Sequence, residues 1–351
     1  MQFYVTEVLV LFCVNVIAIW GLDLQFGVTG INNFAYVIFQ AAGAYTAAVV
    51  TLGPASSTGF QHYVGGTHLP YPASVVVGSI FAGILAVPIG FIGLSRLRGD
   101  YQAIVMLVVS VIAVGLTNAA VKILNGPAGL STVPRPLFGL VNSEVGYAWF
   151  YVFIAAVWAL LAFLVVRAIT SSPLGRILRA VRDSDSAAAA LGKDVIRLKM
   201  LAFVIGGMIA GASGAVYVQY LGAWGPGSWQ YAETFLFLTA IVVGGTGNMA
   251  GAVLGAILVP IAFQELTRFV PNIGYPGLVE SLQWVLIGLL MLGFLWFRPR
   301  GLLPERRRTF PGSRARRVDN TGSRGRRVRV TPVPGTGVAA AAGGTADAAA
   351  V

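Results

Sequence analysis

Side chains able to do chemistry are scarce in this chain, so each can be weighed on its own. His62 and His68 stand six residues apart with no fixed acid nearby, a weak pattern for a metal ion. Glu265 and Glu280 could carry protons in principle, but both fall close to the ends of apolar blocks. Asp23 is an ionisable group near the membrane, of the kind that is functional when it lies deep. No Ser/His/Asp set, helical His pair or carboxylate pair occurs at catalytic spacing, so the residues point to no catalytic group, metal or cofactor in this chain. The most informative polar stretch is instead Ser171–Lys199, SSPLGRILRAVRDSDSAAAALGKDVIRLK, a helix-forming segment of 29 residues between two long apolar blocks. It places Arg176, Arg179, Arg182, Lys193, Arg197 and Lys199 on one side of a membrane, and its Ala187–Leu191 run can pack tightly against another protein. That is what a membrane subunit needs if a soluble motor is to push on it.

The elements that hold this segment must be membrane spans. Hydrophobic residues make up 56% of the chain and charged residues 11%, far from the roughly one-quarter charged of a soluble domain. Repeated apolar windows of about 20 residues define an all-α, polytopic transmembrane protein with about 8–10 spans. Its 44 glycines imply close helix packing and local breaks. The net charge of +11 is mostly terminal: residues 298–351 hold twelve arginines against three acids, a net +9. Cys13 is the sole cysteine, which excludes an internal disulfide. The N-terminus lacks a basic region and a small-residue cleavage site, so it reads as a retained span.

Spans are expected near 5–22, 33–52, 74–94, 101–122, 147–169, 200–220, 234–267 (as two segments) and 279–297. The Lys/Arg bias places Arg96 and Arg98, then Arg167–Lys199, then Arg298 and Arg300 in the cytoplasm. Segments 123–146 and 221–233 are then external, with Trp224, Trp229 and Tyr231 as interface anchors, and 234–267 folds back around Gly244–Gly251. Two full spans before the external 53–73 loop put Met1 outside. Asp100, beside Arg96 and Arg98, reads as a helix cap and orientation signal. Residues 305–351 form a separate tail, Arg-rich and then rich in Pro, Gly and Ala, expected to be disordered and cytoplasmic. Its arginines anchor the last span and can meet anionic membrane lipids, with no nucleic-acid role.

Two glycine-rich stretches stand out as candidate lining of a solute path. In Gly21–Thr46 the run of Gly27, Thr29, Gly30, Asn32 and Asn33 interrupts apolar sequence. A break at membrane depth should face protein or a water-filled path, where helix ends can meet a polar solute; a plain loop between two spans is the alternative. In Ala240–Gly255, Gly244, Gly245, Thr246, Gly247 and Asn248 form a turn, and Gly247, Gly251 and Gly255 recur every four residues. That spacing makes a flat face for close helix approach. No strand precedes it and no Lys-Ser/Thr follows, which excludes a phosphate loop. Gly206–Gly214 repeats the small-residue theme on the helix leaving the charged segment.

In order, GLDLQFGVTG (21–30), Gly43-Ala44-Tyr45-Thr46, RLRGDYQAIV (96–105), GPAGL (126–130), GRILRAVRD (175–183) with ALG (190–192), VVGGTGNMAGAVLGA (242–256) and FRPRGLLPE (297–305) resemble the permease subunit, M-type, of ATP-driven (ABC) uptake systems for branched-chain amino acids. The resemblance covers nearly all of 20–304. It implies that Gly175, Arg176, Arg179, Arg182, Asp183, Ala190, Leu191 and Gly192 belong to a coupling segment that docks on the cytoplasmic ATPase. It implies no enzyme activity in this chain, with ATP used by the partner ATP-binding subunits. It also implies a second homologous permease, an external solute-binding protein and a multi-pass location in the bacterial plasma membrane. The chain departs from the pattern at INNFAYVIFQ (31–40), where Tyr36 stands in a histidine-like place. Relatives also carry urea and short amides, which keeps that cargo as an alternative. An ion-coupled secondary transporter would want buried acids in mid-span, and few are found.

Overall fold

The computed structural model describes residues 2–55, 61–94, 99–141, 143–263 and 278–305. Arg96, Arg98, Glu265 and the tail beyond Glu305 lie outside the described residues, as do the side chains of Asp100 and Glu280. The chain is all-α, and among the described residues five helices are long and apolar enough to cross a bilayer.

The elements run in order as α1 (Gln2–Asp23, continued by a wide turn over Leu24–Val28), α2 (Tyr36–Thr51), α3 (Ala73–Leu94), α4 (Gly99–Ala119) and the short α5 (Val121–Leu124). Then come α6 (Glu144–Ser171), α7 (Pro173–Asp183), α8 (Asp185–Ala190), α9 (Val195–Leu221), α10 (Tyr231–Gly244), α11 (Met249–Ala256) and α12 (Leu278–Phe297). The expected 234–267 block is indeed two segments, α10 and α11, folded back on each other. Pro260 sits in the π-helical continuation of α11, Ile257–Phe263, where the wider turn accommodates a residue that cannot donate to the helix ladder.

α9 is the centre of the bundle. Its most apolar stretch is 72% buried, against 22% for α4 and for α6. Small residues allow this: a Cβ on Gly43 of α2 would stand 2.1 Å from the Gly211 carbonyl oxygen, and one on Gly214 would stand 1.9 Å from the Gln40 carbonyl oxygen. Polar side chains close the remaining gaps inside the bundle. Ser213 of α9 donates to the Val14 carbonyl at 2.9 Å, and Tyr36 donates to the Ala18 carbonyl at 2.7 Å. By contrast, Phe81, Ile84 and Phe91 of α3, Leu116 of α4, Phe153 and Leu160 of α6 and Leu289 and Leu292 of α12 face outward. In water each such side chain would forgo about 1.5–3 kcal/mol of burial, a cost that hydrocarbon removes.

The loops gather into two ends. At one end lie the turn after α1, the α7–α8 segment, the α10–α11 turn and the residues after α12. At the other, the loops after α2, α5 and α9 are joined by isolated antiparallel bridges, Tyr63 with Leu124 and Leu130 with Trp224. This corrects one expectation. Trp224 and Trp229 are each only 2% exposed, packed edge-on against Tyr217 and Tyr45, and they are core residues rather than interface anchors. Tyr231 is exposed.

Candidate functional site: a charged helix clasped to the end of the bundle

The charged segment folds as sharply capped helices because its sequence supplies each cap. Ser172 accepts from the Gly175 amide, with Pro173 in the first turn of α7, and Ser184 and Asp194 accept from Ala187 and Arg197 to start α8 and α9. α8 ends on Gly192 at φ +76°, with Lys193 N–H bonded to the Ala188 carbonyl and Gly192 N–H to the Ala189 carbonyl. This is a Schellman arrangement, whose left-handed residue favours glycine. Lys199 pairs with Asp185 and ties α8 back onto α9.

α7 has two faces. Gly175, Leu178 and Val181 are buried, and Gly175 lets the helix lie on the end of α6, where a Cβ would stand 2.6 Å from the Ile169 and Thr170 carbonyl oxygens. Arg176 and Asp183 are exposed. At the tip, Ala190 and Gly192 are exposed and Leu191 is 79% exposed, an apolar knob on a polar loop. Of the Ala187–Ala190 run, only Ala188 turns inward.

Between these faces, Arg179 and Arg182 converge on one carboxylate. Arg179 Nε lies 2.7 Å from Glu305 Oε1, and Arg182 Nη2 donates to Glu305 Oε2 at 2.9 Å. Arg182 Nη1 also donates to the Gly27 carbonyl, and Arg179 Nη1 donates to the Thr170 carbonyl at 3.2 Å. These side chains are about one-quarter exposed, so the pairing is less screened than a surface ion pair. A step inward, Asp23 is buried and accepts from the Gly247 amide at 2.8 Å. A carboxylate removed from water needs such a donor and nearby cations to offset several kcal/mol of desolvation. Asp23, Glu305 and the two arginines thus gather at the end of the bundle, with the exposed Asp183 also 3.4 Å from Arg182 Nε.

The glycine-rich stretches fit into the same cluster. A Cβ on Gly27 would stand 2.0 Å from Asp23 Oδ1 and 2.5 Å from the Gly247 nitrogen, so this approach requires glycine. Gly245 has φ +120°, and the segment after α12 lies against it. Leu302 and Leu303 donate to the carbonyls of Val243 and Gly244 at 2.8 and 2.9 Å, and Asn248 donates to the Leu303 carbonyl at 3.1 Å. Asn248 also caps α11 by accepting from Ala250 N–H. The four-residue glycine spacing serves close approach, and the partner is α10: Cβ atoms on Gly251 and Gly255 would meet the carbonyl oxygens of Gly244 and Ala240.

The candidate path residues divide in two. Thr29 and Asn33 are fully buried and internally bonded, Thr29 to the Leu24 carbonyl at 2.8 Å and Asn33 to Gln25 Oε1 at 2.7 Å. Gln25 in turn donates to the Phe203 carbonyl of α9 at 2.8 Å. Gly30 is exposed against the Arg182 side chain, Asn32 is half-buried near Gly99 of α4, and Thr246 is half-buried in the α10–α11 turn. The break after α1 therefore lies at the same end as α7. Gln25 and Glu305 were missed as site residues; the FRPRGLLPE motif was the available signal for the second, and Glu305, counted with the tail, is held by α7. At the opposite end a cavity of about 500 Å³ lies between α2, α3 and α4, lined by Ile38, Tyr45, Thr46, Phe81, Thr117 and Trp229 among others.

The fold is that of a polytopic α-helical membrane protein. The chain matches over residues 4–295 the family described as branched-chain amino acid transport system / permease component, and it belongs to that family. It is 32% identical over 308 residues to the high-affinity branched-chain amino acid transport system permease protein LivM of Escherichia coli K12, covering 82% of this chain and 67% of that one. It is 27% identical to a probable LivM of Methanocaldococcus jannaschii, covering 86% and 94% of the two chains. The autoinducer 2 import system permease protein LsrC of an Enterobacter is 28% identical, covering 76% and 82%. No solved structure matches the chain.

Proposed function

We propose that this chain is one permease half of an ATP-driven importer of branched-chain amino acids, seated in the bacterial plasma membrane. It would work with a second homologous permease, two cytoplasmic ATP-binding subunits and an external solute-binding protein. ATP is bound and hydrolysed by the partners, and this chain contributes the path and the coupling surface. Residues 1–304 form the permease domain, with Glu305 held against it by α7, and the arginine-rich tail is cytoplasmic and can bind anionic lipid.

The observation that carries this reading is the two-faced α7–α8 segment. Its outer face offers Arg176, Asp183, Ala190 and Leu191, while its inner face holds the ends of α1, α6 and the α10–α11 turn. A motor that grips the outer face moves several helix ends at once, because a close-packed interior does not yield locally. Solute released from the binding protein onto the 123–146 and 221–233 loops then meets a bundle with two access states, selected by the motor through their differential affinities. Gly30, Asn32 and Thr246 face the inner mouth of the path, framed by Gly27, Thr29, Asn33, Gly244, Gly245 and Asn248.

The test is uptake of labelled leucine into vesicles carrying this chain with its neighbouring subunits, with and without ATP. Uptake that needs ATP and is blocked by excess isoleucine but not by urea supports the reading. ATP-driven uptake of another solute keeps the machine and changes the cargo; the similarity to a permease for autoinducer 2 makes this the second reading. Leucine uptake that follows an ion gradient and ignores ATP refutes it.

A further inference from the structure

We infer that Glu305 is a positioning residue for transport: it clasps the coupling helix to the segment leaving α12, so that motor displacement reaches the α10–α11 turn and the last span. The inference rests on the coupling role of α7–α8 proposed above and adds the residue through which the coupling passes.

The segment Arg298–Glu305 is fixed at its middle by main-chain bonds. Leu302 and Leu303 donate to the carbonyls of Val243 and Gly244, and Asn248 grips the Leu303 carbonyl from the other side. The fit is tight enough that a Cβ on Gly301 would lie 2.5 Å from the Gly245 Cα. This strap therefore moves with the α10–α11 turn. Its last residue, Glu305, is the one that crosses to α7, and its two oxygens take two different arginines at 2.7 and 2.9 Å.

The same two guanidiniums hold the rest of the end together. Arg182 reaches the Gly27 carbonyl after α1, and Arg179 reaches the Thr170 carbonyl at the end of α6. The carboxylate accepts a hydrogen bond from Arg182 and lies in ion-pair contact with Arg179 Nε, and so biases the orientation of both. Removing it leaves two partly buried cations facing one another and frees each arginine to turn away. α7 keeps its apolar seat through Leu178 and Val181, so it stays docked but no longer steers the strap. Loss of Glu305 should separate motor turnover from solute movement rather than unfold the protein.

The experiment uses the full transporter in vesicles and reads leucine uptake per ATP hydrolysed for Glu305→Gln, Glu305→Asp and the exchange Arg179→Glu with Glu305→Arg. Glu305→Gln should be inserted and assembled normally, hydrolyse ATP, and move at least about tenfold less solute per ATP. Glu305→Asp, one methylene shorter, should fall between, and the exchanged pair should recover more uptake per ATP than Arg179→Glu alone. A Glu305→Gln protein with the normal ratio, or one that loses uptake and hydrolysis in equal proportion, overturns the inference. Ala190→Glu, at the outer tip, serves as the separate check on the coupling role. If it abolishes uptake while Glu305→Gln keeps the normal ratio, only the clasp is wrong; if it transports normally, the coupling role itself falls.

Discussion

The two ends of the bundle are fastened by different chemistry. At the basic end, charged side chains join elements far apart in sequence, Arg182 to Gly27 and Glu305 and Asp23 to Gly247, beside the main-chain bonds of Leu302 and Leu303 to α10. At the aromatic end, backbone meets backbone. Leu130 and Trp224 exchange N–H and carbonyl bonds at 2.8 and 2.7 Å, Val133 donates to Gly222 at 2.9 Å, and buried tryptophans fill the space beneath. Main-chain bridges with ring packing fix one geometry. On the coupling role proposed for α7–α8, the basic end is the one that moves and the aromatic end the one that stays.

The sharpest way to break this contrast is at the exposed tip of the basic end. Leu191→Asp should leave stability within about 0.5 kcal/mol, since the side chain contacts little of its own protein. If Leu191 is an interface anchor worth about 2–4 kcal/mol, ATPase affinity falls by about 30- to 1000-fold. Co-purification of the ATPase and ATP-driven uptake both read this out. Normal assembly with normal uptake would remove the tip from the coupling surface.

The aromatic end should respond in the opposite sense. Trp224→Ala removes a fully packed ring and should cost about 3–5 kcal/mol of stability, read as a lower unfolding midpoint in detergent. Uptake per folded molecule should hardly change. A stable protein that cannot transport would mean that the aromatic end also moves in the cycle.

Arg182→Lys tests the clasp more gently. The charge remains, but one ammonium cannot reach the Gly27 carbonyl and Glu305 together as the fork does. Losing one charged hydrogen bond costs about 1.5–3 kcal/mol, and uptake should fall about tenfold with the protein still inserted. Uptake equal to wild type would show that α7 is held by apolar packing alone.

Much of this architecture is legible in the chain, and the rest is hidden for identifiable reasons. Span positions follow from apolar length, and the fold-back of α10 on α11 follows from the Gly244–Gly251 turn. The caps of α7, α8 and α9 are written locally, as Ser172-Pro173, Ser184, Gly192 and Asp194. Convergence is different. Gly27, Arg182, Gly247 and Glu305 are separated by spacings no periodicity connects, so nothing in the sequence sets the break after α1 beside α7. Trp224 and Trp229 misled for a related reason: an aromatic in a loop between spans looks like an interface anchor until the loop is seen folded over the bundle. The pairing of Asn33 with Gln25, eight residues earlier, is likewise invisible in the sequence, because no helical or strand period connects them.

The smallest effect should come from the aromatic end's ion pair. Arg135 meets Glu144 at 2.9 Å with both side chains more than half exposed, and its guanidinium also lies over the Phe138 and Tyr147 rings. Exposed pairs of this kind are worth about 0.2–1 kcal/mol and weaken with salt. Arg135→Ala should therefore lower the unfolding midpoint by no more than about 2 °C, since 1 kcal/mol shifts a chain of this size by about 1–2 °C. The difference from wild type should shrink as salt rises, and uptake at saturating binding protein should be unchanged. If uptake fell sharply while stability held, charge at this end would be taking part in delivery of the solute, and the division into a moving basic end and a fixed aromatic end would have to give way to two working ends.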